Sequence, residues 1–196
     1  MESGFAGEGW KRVLVKDYGY KQLPGPADEP AAILRRQRPA RIFCSPRGEL
    51  IVDAGENVAG YLSIKAAAKK GTRVTLEYAE VLDHEGNFLK NIIGQNKNQT
   101  DAFIPARDGA FSYCPEFTFH GFQYVRITGV DSLDPEDVRV CVLGSDLQRT
   151  GEFLCDNEKI GRLMENAFRS QQGNMLYIPT DCPQREKSGF TGDMQV

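Results

Sequence analysis

The chain has 196 residues, of which 40% are hydrophobic and 26% are charged, and its formal net charge is −3. This composition is typical of a globular protein of one domain or slightly more. Positive and negative side chains are interspersed, so no basic patch indicates nucleic acid as a partner. No apolar run approaches the roughly 18 residues of a membrane-spanning helix, so no membrane partner is expected.

The five cysteines argue against a metal centre and against a disulfide framework. Their number is odd, and the sequence contains no Cys-x-x-Cys pair and no Cys/His cluster. We therefore expect free thiols, no metal and no cofactor. The first ten residues lack the charged start and apolar stretch of a secretory signal, which together with the thiols predicts a cytoplasmic location.

Residues 1–37 are predicted to be a connector, or the tail of an upstream domain. Glycine and proline interrupt this segment, which contains one short strand-like run, Arg12–Lys16. From residue 38 to 148 the pattern changes to short runs with β-type alternation, separated by turn residues. These runs cover residues 49–53, 59–65, 73–80, 100–104, 117–119, 123–128 and 138–143. About eight short strands at this spacing favour an antiparallel β-sandwich of jelly-roll type.

Residues 149–196 show a different period and are predicted to begin a second domain. Asp156 or Asn157 is a suitable N-cap, and Gly173 is a suitable stop for a helix over residues 157–172. Five apolar residues fall on one face of this helix: Ile160, Leu163, Met164, Ala167 and Phe168. One amphipathic helix cannot form a domain by itself, because its apolar stripe needs another surface.

The segment 180–193 after the helix carries the candidate chemistry. Its charged and aromatic side chains are Asp181, Arg185, Glu186, Lys187, Phe190 and Asp193. Cleavage of a glycosidic bond needs a carboxyl that protonates the leaving oxygen and a second carboxylate, while further acids and an arginine can hold sugar hydroxyls. Three acids in fourteen residues also occur on ordinary surface loops, where Asp181 would cap and Glu186 would pair with Arg185 or Lys187. The residues alone leave both interpretations open.

The segment resembles the signature of the bacterial α-L-rhamnosidases, glycoside hydrolase family 78. Thr180–Glu186 and Gly189–Asp193 are similar to the family pattern DCPQR, one or two acids, then GWTGDAQ. Further matching stretches lie upstream at residues 53–61, 77–82, 99–101 and 117–125, with the sequences DAGENVAGY, EYAEVL, QTD and FTFHGFQYV. The resemblance covers about Arg38 to Val196, with five motifs in family order.

The resemblance implies a β-sandwich packed on an (α/α)6 barrel, of which residues 149–196 would be the start. It also implies inverting hydrolysis of terminal α-L-rhamnose in a glycoside or oligosaccharide. On the matching positions Glu186 corresponds to the general acid. Asp181, Arg185, Phe190 and Asp193 correspond to substrate-binding residues, with Phe190 in place of the usual tryptophan. The family's general base lies further downstream than Val196, so little or no hydrolase activity is expected of these 196 residues alone.

Other features are expected to be structural. His120 is predicted to be packed with a satisfied ring nitrogen, His84 to be an exposed turn residue, and Cys182 to be structural. Two alternatives to an enzyme remain open: a non-catalytic carbohydrate-binding sandwich, and a support domain that binds nothing. The support domain predicts an exposed apolar patch to which the helix at 157–172 contributes.

Overall fold

The computed structural model describes residues 9–19, 23–25, 29–92, 99–190 and 192. Within these ranges the fold is antiparallel β structure with one long helix, which confirms the predicted mainly β class. The strands are β1 (Ala31–Gln37), β2 (Arg41–Cys44), β3 (Leu50–Ala68), β4 (Val74–Ala79), β5 (Thr100–Phe103), β6 (Gly109–Tyr113), β7 (His120–Thr128), β8 (Val138–Ser145), β9 (Met175–Leu176) and β10 (Ile178–Pro179). The helix is α1 (Glu158–Asn174).

Strand β3 organises the main sheet, whose strand order is β1-β8-β3-β7-β4-β5. Its first half pairs with β2 and β7, and its second half pairs with β8 and β6. The pairing with β7 is irregular between Asp53 and Val58, where Gly55 has a φ of 84°. The predicted strands 49–53 and 59–65 are therefore parts of one long strand that bends at this irregularity.

Among the described residues, a large hydrophobic core lies on the main sheet, and a smaller cluster of Ile51, Ala79 and Phe88 lies apart from it. Alternate residues of the central strands point into the large core, as the period of two predicts. Its fully buried members include Val52, Leu62, Ile64, Val74, Leu76, Phe122, Val125, Val138 and Val140. Residues of β3, β4, β7 and β8 thus pack together in this core.

Some sequence predictions at the strand level are wrong. Arg12–Lys16 is not a strand, and its side chains Val13, Leu14 and Val15 are exposed. Residues 117–119 form a loop in which Phe117 has a positive φ of 57°. Strand β1 lies inside the segment assigned to the connector and pairs with β8, with a register shift between Ile33 and Arg35 that breaks the alternation in the sequence. The domain boundaries themselves stay a prediction.

Helix α1 confirms the predicted Asn157 cap, because the Asn157 side chain accepts hydrogen bonds from the backbone N–H groups of Lys159 and Ile160. The helix ends at Asn174, one residue beyond Gly173. Its polar face is turned toward the sheet: Arg169 Nη1 lies 2.5 Å from Glu56 Oε2, and Gly173 lies against Ala59. The apolar stripe faces away, and Leu163 is 64% exposed, as the predicted apolar patch requires. No helix among the described residues is long and apolar enough to cross a membrane.

Candidate active site

The segment with the candidate site begins at a short hairpin after α1. Strands β9 and β10 pair across Tyr177, whose backbone N–H donates to the Ser145 hydroxyl at the end of β8 (2.7 Å). Thr180 then donates from its backbone N–H and from its hydroxyl to the carbonyl oxygen of Asn174 (2.7 and 3.2 Å). The start of the segment is therefore fixed both to the sheet and to the end of the helix.

Residues 180–189 form a second hairpin, which we call the acid hairpin. Thr180 and Gly189 bridge its ends, and the backbone N–H of Asp181 donates to Ser188 (3.2 Å). Further along, the N–H of Lys187 donates to the carbonyl of Cys182 (3.2 Å). A Cβ at Gly189 would lie 2.2 Å from Ile178 Cδ1, so glycine permits the close approach of the two hairpins. The acid hairpin is thus a shaped loop, as the prolines and glycines predict.

The acid hairpin packs directly on β7 of the main sheet. A Cβ at Gly121 would lie 2.8 Å from Pro183 Cγ and 3.0 Å from Gln184 Cβ. The Gln184 side-chain amide donates to Glu80 at the end of β4 (3.4 Å). Lys187 Nζ donates to the carbonyl oxygen of Phe119 (2.5 Å). The β domain therefore supports the hairpin from one side along its whole turn.

Three functional groups converge at the tip of the acid hairpin. The ligand-type side-chain atoms of Asp181, Cys182 and Glu186 all lie within 4.8 Å of one another. The Cys182 thiol donates to Glu186 Oε2 (2.8 Å), and Arg185 Nε donates to Glu186 Oε1 (2.6 Å). The Glu186 side chain is 35% exposed. It is accordingly held by partners on both oxygens while remaining open to solvent.

The two carboxyl groups are linked to each other. Desolvation raises the pKa of Asp181, but hydrogen bonds from the Glu186 and Cys182 side chains and from the backbone of Cys182 and Ser188 outweigh it, so the pKa lies below its usual value. Asp181 is therefore ionised at neutral pH and lies beside the Glu186 carboxyl.

The same three side chains also have the donor types and spacing of a possible zinc site. Burial and then the hydrogen bond to Glu186 raise the pKa of Cys182, so its thiol acts here as a hydrogen-bond donor to Glu186 Oε2.

The remaining predicted site residues are placed less centrally. Phe190 is 52% exposed at the end of the acid hairpin, where its backbone N–H donates to Pro179 (3.3 Å). Arg185 is half exposed and contacts Glu186. Asp193 lies outside the described residues. The structure thus brings Asp181, Arg185 and Glu186 together. The catalytic role of Glu186 and the substrate-binding roles of the other four residues stay predictions.

A contact between Lys187 of the acid hairpin and His120 of the β domain involves two residues that were not predicted as site residues. Lys187 has a left-handed φ of 54° and sends its side chain into the β domain. There the Lys187 side chain contacts His120, with Lys187 Nζ 3.5 Å from His120 Nδ1. His120 is 1% exposed, as its predicted packing role requires. Sequence carries no signal for this contact, because the two residues are 67 positions apart.

Comparison with known protein families identifies the class to which this chain belongs. The model of the bacterial α-L-rhamnosidase concanavalin-like domain matches residues 44–144, and the model of the bacterial α-L-rhamnosidase six-hairpin glycosidase domain matches residues 148–196. The chain therefore combines a concanavalin-like β domain with part of a six-hairpin glycosidase domain. It belongs to the bacterial α-L-rhamnosidase family.

Relatives and solved structures agree with this assignment. An α-L-rhamnosidase of Alteromonas sp. (strain LOR) is 35% identical over 95% of this chain and 22% of its own length. One from Streptomyces avermitilis is 33% identical over 98% of this chain and 19% of its own length. The structure of the native Aspergillus terreus α-L-rhamnosidase superposes with a TM-score of 0.83 at 35% identity, covering 98% of this chain and 23% of that one. The Streptomyces avermitilis enzyme complexed with L-rhamnose gives a TM-score of 0.77 at 30% identity, covering 86% and 16%. The chain spans about a fifth of the length of the curated relatives it matches.

Proposed function

We propose that this chain supplies the acid half of an α-L-rhamnosidase active site, with Glu186 as the proton donor. The observation that carries the proposal is the convergence of the Glu186 and Asp181 side-chain oxygens within 4.8 Å at a solvent-accessible tip. A general acid must come within hydrogen-bond reach of the glycosidic oxygen. The Glu186 side chain is 35% exposed, so a glycoside can approach it.

Arg185 acts at the next stage of the same step. After Glu186 has given its proton to the leaving oxygen, it carries a full negative charge. The guanidinium at 2.6 Å and the Cys182 thiol at 2.8 Å then each donate to one oxygen of that carboxylate. The transfer is thereby stabilised without a change in the position of the hairpin.

The substrate we propose is a glycoside with a terminal α-L-rhamnose. The relative from Streptomyces avermitilis is known in complex with L-rhamnose, and the present chain shares its fold over 86% of the chain. Asp181 and Arg185 offer charge-assisted hydrogen bonds to sugar hydroxyls, and the exposed ring of Phe190 offers an apolar surface. Asp193 is proposed as a further sugar ligand on the resemblance alone. The reaction proposed is hydrolysis with inversion, with the water activated by a carboxylate elsewhere in the barrel.

The proposal is tested in a chimera, in which this chain replaces the matching 19% of the Streptomyces avermitilis enzyme. We expect the folded chimera to release p-nitrophenol from p-nitrophenyl α-L-rhamnoside. On an alkyl α-L-rhamnoside, whose poor leaving group must be protonated, Glu186→Gln should lower kcat by about 10²-fold or more with little change in KM, because general acid catalysis contributes about 10²–10⁴-fold. Glu116→Gln, at an exposed glutamate of the β domain, is the matched control and should leave kcat unchanged.

Two results would contradict the proposal. If the chimera melts cooperatively but hydrolyses no rhamnoside, the proposed hydrolase activity is wrong. If Glu186→Gln leaves kcat unchanged, the proposed role of Glu186 as proton donor is wrong. p-Nitrophenyl α-L-rhamnoside, which has an activated aryl leaving group, adds a further check. This leaving group needs less protonation, so the loss of kcat caused by Glu186→Gln should be smaller for it than for a substrate with a poor leaving group.

The structure also favours a support function for the β domain, which is compatible with the enzyme. Gly121, Glu80 and Phe119 of this domain all contact the acid hairpin. Among the described residues, no comparable observation favours an independent carbohydrate-binding sandwich.

A further inference from the structure

Lys187 is the residue of the acid hairpin whose side chain reaches the buried His120 of the β domain. Its φ of 54° turns the chain so that Glu186 faces Cys182 and Arg185, whereas the Lys187 side chain runs into the β domain. There its Nζ donates to the Phe119 carbonyl (2.5 Å), lies 3.5 Å from His120 Nδ1, and is 5.2 Å from the centre of the Phe119 ring. The residue next to the proposed acid is thus fixed by three contacts outside its own loop.

His120, which the Lys187 side chain contacts, is itself held by buried neighbours. His120 Nε2 lies 3.0 Å from Asp101 Oδ1, and the Tyr78 hydroxyl donates to Asp101 Oδ2 (2.9 Å). The Tyr78 ring stacks on the His120 ring at a centroid distance of 4.1 Å. Tyr78 and His120 are each 1% exposed, and Asp101 is 9% exposed. This set has no freedom to reorient without opening the core.

The hydrogen bonds of the set fit a neutral His120 that donates from Nε2 and accepts at Nδ1. Ionised Asp101 accepts from Nε2–H, so Nδ1 carries a lone pair, and that lone pair faces the Lys187 ammonium. Burial lowers the pKa of His120, the hydrogen bond to Asp101 partly offsets this, and the charge of Lys187 lowers it further. The chain of donors therefore runs from Lys187 through His120 to Asp101, with Tyr78 closing it.

Packing alone does not require a lysine here. Burying an ammonium group costs free energy unless donors and acceptors are matched, and an unbranched apolar side chain of similar length would fill the same space without that cost. What a lysine adds is direction, because its hydrogens are aimed at two fixed acceptors. Glu186 is the neighbour whose position this direction sets.

We propose that Lys187, held by His120 and Phe119, is a positioning residue that fixes the orientation of the Glu186 carboxyl from within the β domain. The inference rests on the proposed role of Glu186, and it assigns to the β domain a part in the proton transfer. A misplacement of a catalytic group by about 1 Å costs about 10²-fold in rate. Loss of the anchor should therefore act on kcat rather than on KM.

The test uses the 196-residue chain and three variants. Lys187→Met keeps the length of the side chain but removes its donors, Lys187→Arg keeps a cation with donors, and Lys159→Met makes the same exchange at an exposed position on α1. In Lys187→Met we expect the amides of Asp181 and Lys187 to exchange at least tenfold faster, while the β3–β7 amides are unchanged. We also expect the NMR titration of His120 to move to higher pH, since a neighbouring positive charge is gone, and the ¹³C titration of the Glu186 carboxyl to change.

Lys187→Arg should restore most of the protection and of the Glu186 titration, and Lys159→Met should match the wild-type chain throughout. Unchanged hairpin exchange and an unchanged Glu186 titration in Lys187→Met would overturn the proposal, as would a Lys187→Arg chain indistinguishable from Lys187→Met. In the chimera, Lys187→Met should lower kcat about 10- to 100-fold with KM nearly unchanged.

The two proposals fail in different ways. If Glu186→Gln leaves the chimera fully active, the proposed function is wrong, whereas the exchange and titration data on the chain still decide whether Lys187 holds the hairpin. If Glu186→Gln abolishes turnover but Lys187→Met changes neither kcat nor the titration, only the positioning role is wrong.

Discussion

At the scale of single residues, the contact between the acid hairpin and the sheet depends on the absence of a side chain at Gly121. A Cβ there would lie 2.8 Å from Pro183 Cγ, closer than carbon atoms normally approach, and 3.2 Å from the backbone nitrogen of Gln184. Gly121 is also fixed from within the sheet, because its N–H and carbonyl both bond to the Gln99 side chain. Strand β7 cannot retreat, so the hairpin must move.

We therefore expect Gly121→Ala to displace the acid hairpin and to leave the sheet folded. Overpacking of this kind costs about 1–3 kcal/mol. Hydrogen exchange should show faster exchange at Asp181 and Lys187, with a lowered melting temperature of the whole chain. Gly151→Ala is the control, because a Cβ at Gly151 meets nothing within 4 Å. Equal exchange at the hairpin in Gly121→Ala and the wild-type chain would show that the contact does not position the loop.

At the scale of elements, helix α1 has two faces with different partners. Arg169 and Gly173 face the sheet, and Glu56 bridges Arg169 to Arg35 of β1. Between them lies a polar cavity of about 450 Å³ that the acid hairpin closes with Asp181 and Gln184. Salt bridges with exposures of 42% and 21% contribute little to stability. The hydrogen bonds of the helix therefore act together with the contacts of Gln172 with Gly144 and of Phe168 with Arg149.

The N-cap at Asn157 should contribute measurably to the stability of α1. Asn157 Oδ1 accepts from the N–H of Lys159 (3.0 Å) and of Ile160 (3.4 Å). Asn157→Ala should destabilise α1 by about 1 kcal/mol, seen as lower helicity by circular dichroism and as faster exchange in the first turn. Asn157→Asp retains the acceptor and should behave as the wild type or slightly better. If Asn157→Ala loses no helicity, the remaining contacts of the helix are stronger than the structure indicates.

Elements with a clear period could be predicted from sequence, whereas elements defined by contacts could not. The stripe from Ile160 to Phe168 and the cap at Asn157 specified α1 to within two residues, because both signals are local. Strand β1 was assigned to a connector, since Arg35 and Arg36 interrupt its alternation at the irregular pairing with β8. Arg12–Lys16 forms no strand although its residues are of β type, because such residues need a partner strand.

The candidate site divides along the same line. The residue types and spacing from Asp181 to Glu186 predicted a shaped acidic loop, and the structure brings these two carboxyl groups together. The direction of the Lys187 side chain depends on a left-handed φ and on a histidine 67 residues away. The local sequence predicts neither of these features. Tertiary contacts of this kind need the fold before they can be seen.

At the scale of the whole molecule, the two carboxyl groups lie on the same loop and therefore on the same side of any bound sugar. Inversion requires a second carboxyl about 6.5–9.5 Å from the acid, with room for a water molecule on the opposite face of the ring. The side-chain oxygens of Asp181 and Glu186 lie within 4.8 Å of each other, so this pair cannot enclose a hexose and a water. Asp181 is therefore too close to Glu186 to act as the base of an inverting pair.

We therefore expect the 196-residue chain alone to release no p-nitrophenol from p-nitrophenyl α-L-rhamnoside above the rate of its own Glu186→Gln variant. The same acid hairpin in the chimera should be active, because there the barrel provides the opposite face of the site. The matched variant excludes a contaminating rhamnosidase, since contamination would leave both preparations equally active. Turnover by the chain at a rate comparable with the chimera, abolished by Glu186→Gln, would mean that a second carboxylate within these residues activates the water. The stereochemistry of the product, read by ¹H NMR of the first anomer released, would then show whether the pair acts with inversion or with retention.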